Sequence, residues 1–186
     1  MKKILLILII TLFSCSNDDD VTNRPLPNLT FEGNNTFGCI IDGINYQPVT
    51  RDLDAKYLFL ERDAPNGYWF SINADNRNLN KFIRFERNLS NIPLEEGIYS
   101  FGNQENGVLN ASYSIIGDVI WNDDGSGYQL VSNYVTTNET DGELEIIKLD
   151  ENEKIISGTF WFDCIDSAGN VVEIRDGRFD LKYETN

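Results

Sequence analysis

Apolar and polar residues alternate along most of this chain with a period of two, the repeat of strands with one buried face. Between Lys154 and Asp166, Ile156, Gly158, Phe160, Phe162 and Cys164 fall on one side. Ser157, Thr159, Trp161 and Asp163 fall on the other. The same reading places strands over 36–41, with Phe37, Cys39 and Ile41 inward, and over 44–49, 56–62 and 68–74. Further strands are expected over 98–101, 111–121, 128–137, 143–149, 171–174 and 179–183. Residues 78–89 fit a helix through Phe82, Phe85 and Leu89, or a strand through Ile83, Phe85 and Arg87; the surrounding strands favour the strand. In 143–149 the apolar parity changes between Ile146 and Ile147, which calls for a β-bulge near Ile146.

Turn chemistry separates these segments. Asp42-Gly43 is a hairpin signal. Ala64-Pro65-Asn66-Gly67, Asn122-Asp123-Asp124-Gly125-Ser126 and Ser167-Ala168-Gly169-Asn170 are further turns, and Arg175-Asp176-Gly177 is a turn or bulge. Many short strands without a long helix predict an all-β domain, an antiparallel sandwich or barrel.

The first residues follow a different pattern. Lys2-Lys3 precede an apolar run from Ile4 to Phe13, and Ser14 then precedes Cys15. The run is shorter than the roughly 20 residues a spanning helix needs, and it has the order of a secretion signal. Ser14-Cys15 resembles the bacterial lipobox, in which the cysteine is lipidated and becomes the first residue of the mature chain. The expected organisation is a signal over 1–14, a lipidated Cys15 with an acidic and polar tether over 15–35, and one β domain over 36–186. Pro25 and Pro27 mark the tether as a spacer. Ser16-Asn17-Asp18-Asp19-Asp20 resembles the surface-export signal of Bacteroidota lipoproteins. The expected place is the outer membrane, facing the cell surface, with the periplasmic face as the other option.

Composition narrows the function. The chain has 30 acidic and 15 basic residues, a formal charge of −15, which disfavours nucleic acid as a partner. It has no histidine, which removes the usual general base, the Ser-His-Asp triad and most zinc sites. No catalytic residue, no cofactor and no metal site are expected. The turn at 122–126 lacks the spaced ligands of a calcium loop. The carboxylate pairs Glu61 with Glu86 and Asp163 with Asp166 are the candidates a glycosidase would need.

Three groups remain. Cys39 and Cys164 share the inward parity, and a disulfide between them is expected in an oxidising compartment, two buried thiols being the alternative. Trp69, Trp121 and Trp161 are candidate ligand-facing aromatics for a glycan, against the commoner role of partly buried packing. Tyr68, Phe70, Phe160 and Phe162 would line a barrel interior if the protein carried a small ligand.

Thr36-Phe37-Gly38-Cys39 with Asp42-Gly43, Ile156-Ser157-Gly158-Thr159-Phe160-Trp161-Phe162 and Asp176-Gly177-Arg178-Phe179-Asp180 resemble a family of small Bacteroidota lipoproteins of unknown function. The resemblance implies a lipid-anchored β domain and carries no activity or catalytic residue. The expected function is non-catalytic: a binding or accessory lipoprotein, held to the membrane through Cys15, with a protein partner in the outer membrane. A small-ligand carrier is the alternative.

Overall fold

The computed structural model describes residues 24–60, 67–124 and 126–185, with the side chains of 50, 58–60, 121, 128 and 130 outside that set. Cys15, the signal at 1–14 and the acidic run after Cys15 lie outside the described residues.

The described residues form eleven strands: β1 (Thr36–Ile41), β2 (Ile44–Tyr46), β3 (Leu53–Leu60), β4 (Gly67–Asn76), β5 (Lys81–Ser90), β6 (Gly97–Ser100), β7 (Leu109–Trp121), β8 (Gly127–Val135), β9 (Gly142–Asp150), β10 (Ile155–Ile165) and β11 (Val171–Lys182). They make one antiparallel sheet in the order β2-β1-β11-β10-β8-β7-β5-β4-β3, with β9 on β10 and β6 on β9. The all-β expectation holds, and the ambiguous 78–89 segment is strand β5. Its inward residues are Ile83, Phe85 and Arg87.

The sheet curls until its edges meet. At one end the Tyr46 hydroxyl of β2 donates to the Ala74 carbonyl of β4 at 2.6 Å, and the Val49 amide donates to the Asp75 carbonyl. At the other end Glu184 exchanges backbone hydrogen bonds with β3: its amide donates to Ala55 and its carbonyl accepts from Tyr57. The enclosed core is aromatic. Phe85 meets Phe160 edge-to-face with ring centroids 4.7 Å apart, and Phe37–Phe160 and Phe101–Phe162 lie at 5.1 and 5.2 Å.

Several local expectations meet specific geometry. Asp42 and Gly43 both take positive φ, as the tight hairpin requires. The register of β9 on β10 steps from Ser157↔Lys148 to Gly158↔Ile146, so Ile147 is the extra residue of a bulge. Gly158 lies at that step, and a Cβ there would collide with the Glu145 carbonyl. The Arg175–Gly177 segment is a bulge inside a single strand, β11, and not a turn between two. β2 is shorter than expected because Pro48 has no amide to donate. Gln47 instead accepts from the Asn76 side chain through its carbonyl.

Residues 24–35, expected to stand clear as a tether, lie against the outside of the sheet. The Arg24 and Pro25 carbonyls accept from Asn45 and Gln47 near β2. Pro27 crosses β1 at Gly38, where an added Cβ would sit 2.6 Å from its Cδ. Residues 30–34 then dock on Asp180 of β11. Prolines and asparagines do read as a spacer, but three of the docking donors are main-chain amides, which carry no sequence signal, and the Thr30 hydroxyl joins them. We call residues 24–35 the strap.

Candidate functional site

Asp180 has outward parity on β11, yet it is fully buried because the strap covers it. Its carboxylate accepts from the Gly33 amide at 2.7 Å, the Thr30 hydroxyl at 2.6 Å, the Ser157 hydroxyl at 2.7 Å, and the Glu32 and Asn34 amides at 3.1 and 3.2 Å. Burial alone would raise its pKa; the hydroxyls of Thr30 and Ser157 and the amides of Gly33 and Asn34 outweigh that and bring it to about 2. The group is a structural latch that ties residues 30–34 to β10 and β11.

Trp69 and Trp161 do not converge. Trp69 is on β4 and Trp161 on β10, with β5, β7 and β8 between those strands. Trp69 is half-buried and donates through Nε1 to Glu86 at 3.1 Å, while Arg84 pairs with the same carboxylate. Trp161 is exposed, and the Arg175 guanidinium lies 5.5 Å from its ring centroid. Trp121 ends β7, and its side chain lies outside the described residues. Three intervening strands therefore keep the Trp69 and Trp161 rings from forming one stacking patch.

The carboxylates are likewise engaged locally. Asp163 pairs with Arg175 at 2.6 Å. Asp166 closes its own turn, accepting from the Asn170 side chain and the Ala168 amide, and those bonds hold its pKa down. Glu61 lies outside the described residues. In the 122–126 turn Asp124 accepts from the Ser126 amide and hydroxyl. Among the described residues no three His, Cys, Asp or Glu side chains gather as a metal would need.

Cys39 and Cys164 are both free and buried, which corrects the expected disulfide. Their strands β1 and β10 are separated by β11. Two strand spacings, with Cys39 level with the 175–178 stretch of β11 and Cys164 level with Val172, place the Cα atoms more than about 10 Å apart, beyond the ~7 Å reach of a bridge. Burial pushes both thiols up, Cys164 to about 12, so neither is a reactive thiolate near neutral pH.

Among the described residues, Phe160, Phe162 and Phe70 pack into the buried core and do not line an open space. A cleft of about 90 Å³ opens between Pro27 of the strap and Pro48 and Leu53 of the crossover into β3. That is far below the roughly 300 Å³ at which small-molecule pockets begin.

Arg87 is a residue the sequence reading underused. The Ile83, Phe85, Arg87 parity points it inward, and it is buried. Its Nη2 donates to the Ile92 carbonyl at 2.9 Å and its guanidinium lies 5.8 Å from the Tyr99 ring. Burial lowers its pKa, and among the described residues no carboxylate pairs with it.

Among the described residues, several exposed apolar side chains lie at the end carrying the turns at 42–43, 77–80 and 166–170. Ile44 and Val171 sit beside two of those turns, and Val119, Ile120 and Val131 lie on the β7–β8 hairpin. Pairing of β5 with β7 stops at Lys81↔Ile115, and β10 meets β8 only at Ile165↔Val135. The hairpin beyond Ile116 therefore leaves the rest of the sheet as a two-stranded ribbon.

Comparison with known proteins adds a family and no activity. No curated protein and no solved structure matches the chain. The model of a domain of unknown function, DUF6252, matches residues 70–180, from the middle of β4 to the latch carboxylate of β11. That span is more than half of the chain, which therefore belongs to the DUF6252 family.

Proposed function

We propose that the protein is a lipid-anchored, non-catalytic lipoprotein of the outer membrane that acts as a binding or accessory protein. The observation that carries this reading is the order basic start, ten-residue apolar run, Ser14, Cys15. A diacylated or triacylated cysteine anchors stably, where one chain would be marginal. No helix among the described residues is long and apolar enough to cross a membrane. The missing histidine and the local pairing of Asp163, Asp166 and Glu86 support a non-catalytic role. The packing of Phe70, Phe160 and Phe162 into the core supports the accessory reading over the carrier alternative.

A crosslinked pull-down of the tagged full-length protein from its own outer membrane tests this. One stoichiometric protein partner is expected. An empty pull-down, together with a thermal shift produced by a small ligand, would contradict the accessory reading.

A further inference from the structure

The strap decides where the chain leaves the domain. Without it, the chain would leave from Thr36, which pairs with Asp180 towards the far end of β11 from its 166–170 turn. With the strap docked, it leaves from Arg24, held beside Asn45 of β2 at the end with the 42–43 and 166–170 turns. The same end carries Ile44, Val171 and the β7–β8 hairpin. From Cys15 to Arg24 an extended chain spans at most about 30 Å. The ribbon from Ile116 to Trp121 projects roughly 20 Å beyond its last pairing with β5. A segment of that length is long enough to bring an anchor at Cys15 to the plane of the hairpin.

The hairpin suits an interface more than a single protein surface. Register places Val119 and Val131 on one face and Ile120 on the other, and all three are exposed. A partner protein would cover one face, whereas a headgroup layer surrounds both. Water remaining at that depth satisfies the unpaired ribbon edges, as the hydrocarbon core would not. The tip carries Asp123 and Asp124, with Asp118 behind it, all exposed. These acids favour a zwitterionic surface and oppose an anionic one.

We propose that this end of the domain faces the lipid surface, with the β7–β8 hairpin seated at headgroup level and the Asp180-latched strap setting that orientation. The proposal rests on the Cys15 anchor. The test uses full-length lipidated protein in phosphatidylethanolamine–phosphatidylcholine vesicles containing nitroxide lipid. An environment-sensitive fluorophore is placed at Val131→Cys, or at Ile98→Cys on exposed β6; Cys39 and Cys164 are buried and do not compete. Quenching several-fold stronger at position 131 is expected. Releasing the strap, by Asp180→Asn or independently by Gly38→Val under Pro27, should narrow that ratio. Equal quenching at both positions overturns the orientation, as does crosslinking of position 131 to a second copy in place of quenching. If both strap variants keep the full ratio, the strap's role is overturned. Palmitate uptake is measured on the same preparations with Cys15→Ala beside them: if the variant labels equally, the anchor reading falls and this proposal with it.

Discussion

Asp180 joins the strap to β10 and β11 through one carboxylate and five donors. Hydrogen bonds to a charged group are worth about 1.5–3 kcal/mol each and are not additive, so Asp180→Ala should cost about 3–5 kcal/mol in a chemical-denaturation measurement. The folded pKa of about 2 lies below the ordinary carboxylate value, so the ionised latch stabilises fully above about pH 4 and loses that contribution as pH falls towards 2. Asp124, Asp150 and Asp166 are each lowered by turn hydrogen bonds, so their contributions are likewise lost on acidification. The expected result is that Asp180→Asn flattens, without abolishing, the fall of stability between pH 4 and pH 2. Ser157, Thr30 and Asp180 could all be seen in the sequence, but their meeting could not, because an outward carboxylate on a strand reads as a solvated one. Arg87 was legible as inward through its parity, and its burial follows from that.

Among the elements, β9 shows how far local pattern reaches. The parity change at Ile146 and Ile147 implied a bulge, and the pairing places the extra residue at Ile147. Gly158 opposite it leaves no room for a methyl group against the Glu145 carbonyl. Gly158→Ala should therefore cost at least about 1–3 kcal/mol, read as a lowered thermal midpoint, since backbone and not a flexible side chain must move. The β7–β8 hairpin shows where pattern stops. Its apolar residues predicted strands correctly but not that they outrun β5 and β10, since overshoot is a property of neighbours. A two-stranded ribbon is marginal by itself. Amides 117–120 should exchange with solvent orders of magnitude faster than those of Phe160 and Phe162 in hydrogen exchange of the detergent-solubilised protein. Equal protection would mean the hairpin is covered.

For the whole molecule, antiparallel order, strand content and an aromatic core followed from alternation and turn residues. Closure, the separation of Trp69 from Trp161, and the unbridged Cys39 and Cys164 did not, because each depends on which strands become neighbours. Closure rests at one end on Glu184 against β3 and on the buried Tyr183. Ending the chain at Lys182 should lower the thermal midpoint by several degrees and raise binding of a hydrophobic dye, an outcome checked by calorimetry and dye fluorescence. The DUF6252 match runs from β4 to β11 and leaves the strap and β1–β3 outside the matched span, so the proposed anchor must be tested on this chain directly. The most direct measurement is the intact mass and N-terminal peptide of the protein extracted from its native membrane. The account predicts a chain beginning at Cys15 and carrying two or three acyl groups. A chain that retains residues 1–14, or that begins elsewhere without lipid, would contradict it.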